Sequence, residues 1–146
     1  MFDTNAFDYL LDHRIDPVRV RLAADVFITN VQHVELLDVP DRKRRKRLIG
    51  VLSALDPVVR PAQADVWPEA LRPDERYRRW SNPATMPDDP HPPIRLLRDG
   101  KDRAIAEVAQ QEGCVVVTDD RRFRQALEAV GLEASSCAGA LARFLA

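Results

Sequence analysis

Two short apolar runs, Val26-Phe27-Ile28-Thr29 and Cys114-Val115-Val116-Val117-Thr118, constrain this chain more than any other feature. Both are rich in β-branched residues and neither alternates with polar ones, the pattern of strands buried on both faces. Such strands belong to parallel sheets covered by helices on either side. The flanking sequence supplies those helices. Thr4 or Asn5 can cap a helix through Phe7, Leu10 and Leu11, and Asp16-Pro17 opens a second over about 17–24. A helical pattern starts at Val31, breaks at Pro40 and restarts at Asp41, reaching about Leu55. Later, Asp99 caps a helix through Ile105, Val108 and Ala109 that Gly113 stops, and Phe123, Leu127 and Val130 form another that ends at Gly131. Met1-Phe2 makes a strand only if buried, residues 132–135 suit an edge strand, and 140–146 a closing helix. The reading is α/β: a central parallel sheet with helices on both faces.

The 146 residues, 45% of them apolar, fit one domain and exclude a disordered chain. No apolar run approaches the ~18 residues of a membrane helix, and the opening Met1-Phe2-Asp3 lacks a basic start, so a cytoplasmic protein is expected. Cys114 and Cys137 form no Cys-x-x-Cys pair and read as small buried apolar residues. Nine of the eleven prolines fall between Pro57 and Pro93, which argues against interior helix or central strand through most of 56–95. That segment is read as a proline-rich excursion from the single domain 1–146, with room for a short helix from Pro73 to Trp80.

The net charge of −1 conceals an asymmetry: residues 1–41 carry −5, residues 42–80 carry +6 and residues 81–146 carry −2. This excludes a generic polycation and leaves one basic surface beside an acidic centre, an arrangement suited to a polyanionic substrate.

Sites on parallel α/β sheets form beyond the carboxyl ends of the strands. Two candidate strands end there in acids, the first at Asp3 and the later one at Asp119-Asp120, and neighbouring parallel strands would bring Asp3 and Asp120 to one rim. Glu35 has apolar neighbours at 34, 36 and 37, so its charge must be paired, bound to a metal or held at the edge of the core. Asp102 lies in the first turn of the later helix. Each acid also has a structural reading: Asp3 and Asp119-Asp120 as helix caps, Asp99-Gly-Lys-Asp102 as a capping box with Asp for Glu, and Glu35 as the partner of an arginine in the core. Four acids at one rim would repel unless a cation neutralised them. Carboxylate oxygens select hard cations, so Mg²⁺ or Mn²⁺ is expected rather than zinc.

The motifs resemble those of PIN-domain nucleases and, within them, the VapC-type toxins of toxin–antitoxin pairs. Met1-Phe2-Asp3-Thr4-Asn5 resembles the family's opening strand with its Asp-x-Asn/Ser motif, and Glu35 matches the second acid. Asp102-Arg-Ala-Ile-Ala-Glu-Val-Ala109 is similar to the Asp-x-x-Ile-Ala-x-x-Ala helix, and Thr118-Asp119-Asp120-Arg-Arg-Phe123 to the Thr-x-Asp-x-x-Phe motif. The resemblance implies a metal-dependent endoribonuclease in which Asp3, Glu35, Asp102 and Asp120 hold one or two Mg²⁺ or Mn²⁺ ions and a water attacks the phosphodiester. It further implies supporting roles for Asn5, Thr118 and Asp119, an antitoxin partner and a homodimer. It covers about residues 1–40 and 95–135 well and matches 56–95 poorly.

The run Arg42-Lys43-Arg44-Arg45-Lys46-Arg47 is either a phosphate-attracting RNA surface or a solvated helix start. Six consecutive positions on a helix circle most of its surface. Tyr77-Arg78-Arg79-Trp80 could stack a base, though it and Trp67 fit better as anchors for the excursion, and His13 and His33 read as structural. A phosphohydrolase of the haloacid dehalogenase type needs Asp-x-Asp at the first strand, where this chain has Asn5, and a receiver domain has its phosphoacceptor in mid-chain. The remaining alternative is a PIN-like module that binds RNA or protein without cutting.

Overall fold

The computed structural model describes residues 1–62, 94, 97 and 99–146. Its elements run α1 (Thr4–Asp12), α2 (Pro17–Ala23), β1 (Phe27–Thr29), α3 (Asn30–Leu37), α4 (Arg42–Leu55), β2 (Val58–Arg60), α5 (Gly100–Glu112), β3 (Val116–Val117), α6 (Arg121–Ala129), β4 (Ala134–Ser135) and α7 (Cys137–Phe144).

The sheet is parallel. β1 pairs with β2, Phe27 opposite Val58, and β3 pairs with β4, Val116 opposite Ala134. Residues 1–3 join the two pairs. Phe2 N–H donates to the Phe27 carbonyl, and on the other side Asp3 N–H donates to Val117 O while Val117 N–H donates to Met1 O. The resulting lateral order is β2, β1, residues 1–3, β3, β4. The amino-terminal strand is thus a single bridge, Phe2 to Val117, rather than a full ladder.

Side chains of successive strand residues point to opposite faces. Phe2, Ile28 and Val117 face a core with Phe7, Leu10, Val20, Leu48, Leu52 and Leu141, from α1, α2, α4 and α7. Met1 and Val116 face a second core with Ile105, Val108, Phe123 and Leu127, from α5 and α6. Burial on both faces is the reason these strands carry no polar alternation. On the first face, Phe7 packs edge-to-face on Phe2 with ring centroids 6.2 Å apart.

The local signals explain most of the boundaries. Asp16, Asp41 and Asp99 cap α2, α4 and α5 as expected, and Gly113 ends α5 in the left-handed region at φ 60° that only glycine adopts freely. Four expectations need correction. The cap of α1 is Asp3, not Thr4 or Asn5, which already belong to the helix. The later strand shortens to Val116–Val117, and Cys114 is only partly buried because its N–H turns back to Ala109 O at the end of α5. The closing helix starts three residues early because the Ser136 hydroxyl accepts from Gly139 N–H and caps it. The opening of the proline-rich segment is a strand, β2, at an edge of the sheet. Pro57 and Pro61 flank it without occupying its ladder positions. The expected helix near Pro73–Trp80, along with Trp67, Tyr77, Arg78 and Arg79, lies outside the described residues. Among the described residues no helix is long and apolar enough to cross a membrane.

Candidate active site at the strand ends

The carboxyl ends of residues 1–3 and β3 sit side by side, and a closed set of hydrogen bonds joins them. Asp3 Oδ2 accepts from Asn5 Nδ2 and from the Thr118 hydroxyl, both at 2.7 Å, while Oδ1 accepts from Thr4 N–H at 2.7 Å. The Thr118 hydroxyl also accepts from Asn5 Nδ2 at 2.9 Å and from Asp120 N–H at 3.1 Å, so its one donor and two acceptor positions are all used. Asn5 spends both amide hydrogens on Asp3 and Thr118, and its oxygen accepts from Asp119 N–H at 3.1 Å. An aspartate at position 5 would have no hydrogens to donate, so this site requires the Asn that separates the chain from an Asp-x-Asp phosphohydrolase. Arg124 donates to the Thr118 carbonyl at 2.6 Å and fixes the turn from below.

The other two acids come from helices. Glu35, on α3, accepts from the Thr4 hydroxyl at 2.9 Å through Oε2 and pairs with the Lys101 ammonium through Oε1. Its partner is therefore a part-exposed lysine from α5 rather than a core arginine. Asp102 occupies the first turn of α5. Asp99 accepts from Lys101 and Asp102 N–H and caps that helix alone, and no described residue donates a hydrogen bond to the Asp102 carboxylate. Asp120 caps α6, with Oδ1 accepting from Arg122 and Phe123 N–H. Asp119 accepts from Cys137 N–H at 2.9 Å and fastens the start of α7 to the rim. Burial, with Asp119 close by, pushes the Cys137 thiol up to about 12, so it stays protonated and unreactive.

Asp3 and Asp102 both feel the neighbouring acids. Burial raises the Asp3 carboxyl above its usual range against the pull of its hydrogen bonds, and the charges of Glu35 and Asp120 add to the rise. Burial, followed by the charges of Asp99, Asp3 and Asp120, lifts Asp102 to about 7. The rim thus carries more negative charge than it neutralises. All its donors are carboxylate oxygens, so the chemistry of the set fits a hard divalent cation. Among the described residues, no group of three or more His, Cys, Asp or Glu is arranged to hold such an ion as it stands. Glu35 is engaged by Lys101, and Asp120 has one oxygen spent on its helix.

The other sequence candidates lie elsewhere. His13 stacks on Tyr9 with ring centroids 3.9 Å apart. Burial lowers His33, which lines an apolar groove with Leu37, Ile49 and Leu52. Of the six consecutive bases, Arg44 pairs with Asp8 and Asp12 of α1 and Arg45 donates to Val39 O, which leaves Arg42, Lys43, Lys46 and Arg47 exposed.

Sequence reading missed Gln32, Lys101 and Arg124. Gln32 is 1% exposed. Its amide oxygen accepts from Thr29 N–H, and its nitrogen donates to Phe2 O. It thereby supplies a bridge between β1 and the strand of Asp3. Thr29 with Gln32 three positions later is a capping-box signature that the sequence displayed. Lys101 carried a weaker signal, a cation in the first turn of a helix, where the dipole disfavours it.

No curated protein and no solved structure matches the chain, whereas the model of the PIN domain family matches residues 1–128. That match spans β1 to β3, all four acids and the Asn5–Thr118 network, and ends before β4. The chain belongs to the PIN domain family, whose fold is of the nuclease type and whose members are generally metal-dependent.

Proposed function

We propose that this protein is a divalent-metal-dependent endoribonuclease whose metal-holding residues are Asp3, Glu35, Asp102 and Asp120. The observation that carries this reading is the saturated network of Asp3, Asn5 and Thr118 across two adjacent strand ends, with three further carboxylates in electrostatic reach. Mg²⁺ or Mn²⁺, when bound, supplies positive charge for the phosphodiester and lowers the pKa of water. The protein's own contribution is orientation. Asn5 and Thr118 fix the plane of the Asp3 carboxylate, Thr4 fixes one oxygen of Glu35, and Asp119 holds the rim against α7. Supports of this kind matter nearly as much as the ligands themselves. Arg42, Lys43, Lys46 and Arg47 offer sequence-independent contacts to the RNA backbone. The likeness of four ordered motifs to VapC-type toxins supports a cytoplasmic toxin, dimeric and neutralised by a cognate antitoxin.

The test is incubation of the purified protein with mixed structured and single-stranded RNAs in Mg²⁺, Mn²⁺ or EDTA, beside Asp3→Asn and Asp120→Asn. Cleavage that needs metal and falls at least about a hundredfold in both variants is expected. Equal cleavage by all three proteins would refute the site. RNA binding that EDTA leaves intact, without cleavage, would favour the non-cleaving module.

A further inference from the structure

Lys101 belongs to none of the motifs, yet it touches the site. Its ammonium pairs with Glu35 Oε1, with the lysine side chain 39% and the glutamate side chain 21% exposed. The second oxygen of Glu35 is held by Thr4. Among the described residues, Lys101 is the one cation in an ion pair with any of the four acids. It stands at the second position of α5, between Asp99 and Asp102, where the positive end of the helix disfavours a cation. The acidic rim offsets that cost, so the charge is placed to serve the rim and not the helix.

Resting on the metal-dependent reading above, we propose that Lys101 is the counter-cation of the metal-free site and that a divalent ion must displace it from Glu35. An ammonium and a divalent cation at the same carboxylate oxygen repel each other strongly at such short range. Both oxygens of Glu35 are occupied, one by a neutral hydroxyl and one by the ammonium, and only the ammonium competes by charge. Lysine suits exchange better than arginine. It is a single point charge on a flexible four-carbon stem, and its half-exposed position lets it swing into water. Lys101 therefore keeps the empty acidic rim folded and makes the ion bind more weakly than the carboxylates alone would allow.

The test compares the full-length wild type, Lys101→Gln and Lys101→Arg by calorimetric titration with Mn²⁺ alone and by melting in EDTA. Lys101→Gln is expected to bind Mn²⁺ roughly three- to ten-fold tighter and to melt lower without metal. Lys101→Arg retains the charge, so it should melt near wild type in EDTA and bind Mn²⁺ no tighter than wild type. Lys101→Met, of similar length, serves if the glutamine variant does not fold. A neutral variant that binds Mn²⁺ no tighter than a metal-binding wild type overturns the exchange and leaves the metal reading intact. A wild type that binds no Mn²⁺ overturns the metal reading and the exchange together.

Discussion

The two halves of the acidic rim are built on different principles. At the strand ends, Asp3 accepts from three donors at 2.7 Å, and the Asn5 and Thr118 groups that hold it are themselves saturated. On the helix side, Asp102 has no donor among the described residues, and Glu35 is held by one hydroxyl and one ammonium. The first half is positioned by directional bonds in a buried place, where misplacement is costly. The second is positioned by charge, which tolerates movement. On the metal-dependent reading proposed above, a site divided in this way keeps one ligand fixed as a reference while the others adjust to an incoming cation.

Removing the hydroxyl of Thr118 should break the rigid half and gives the largest expected effect. Thr118 is fully buried, and the isosteric Thr118→Val strips one donor from Asp3 and one acceptor from both Asn5 and Asp120 N–H. The expected loss is about 2–3 kcal/mol of stability and roughly ten- to a hundredfold in cleavage. Thr118→Ser keeps the hydroxyl and should lose little of either. Urea denaturation and initial cleavage rates measure both. Equal behaviour of Val and Ser at position 118 would show that the network does not hold Asp3.

The same division governs what the sequence disclosed. The strand-end half was legible because its residues are adjacent in the chain, Asp3 beside Asn5 and Thr118 beside Asp120, and because buried parallel strands have a distinctive composition. Sequence alone leaves the adjacency of Met1-Phe2 and the later strand as a condition, and the Phe2–Val117 bridge meets it. The helix half depends on contacts between distant segments. Glu35 and Lys101 are 66 positions apart, and no periodicity announces such a pair. β2 was hidden for another reason. Proline enrichment over a long window outweighed a three-residue β-branched run, although the prolines lie at its borders. Gln32 was a missed local signal, since its partner Thr29 stands in plain view as a cap.

Neutralising Asp102 probes the charge-held half, and here removal should help. The carboxyl titrates near 7 in the fold against 3.8 in an ordinary setting. Between those values the folded protein holds a proton that the unfolded chain has released. Metal-free stability should therefore fall as pH rises through that window and level off above it. Asp3 is shifted in the same direction and adds to the slope. Asp102→Asn removes its share, so in EDTA the variant should match the wild type near the acidic end and exceed it in stability at about pH 8. Asp3→Asn should not show this gain, because it also breaks the hydrogen bonds of the rigid half. Denaturation curves across the window decide the matter, and an unchanged slope in Asp102→Asn would remove the charge argument.

The smallest expected effect sharpens the comparison from outside the site. Arg44 bridges Asp8 and Asp12 of α1 at 2.5 and 3.0 Å, so one of the six consecutive bases is committed to holding α4 against α1. Asp8 and Asp12 are 38% and 51% exposed, and the charge-assisted hydrogen bonds that Arg44 makes to them stand open to water. Water and salt weaken such pairs, whereas the part-buried Asp3, Glu35 and Asp102 of the rim are screened less. Arg44→Ala should lower the melting temperature by about one to two degrees at low salt, with the difference vanishing at high salt. It should leave Mn²⁺ binding untouched, since α1 keeps its cap and its buried face. The neutral variants at Lys101 should instead keep their Mn²⁺ effect at salt concentrations that erase the Arg44 difference. If both effects faded together, the Lys101–Glu35 contact would be an ordinary surface pair, and the two halves of the rim would differ in geometry but not in their coupling to metal.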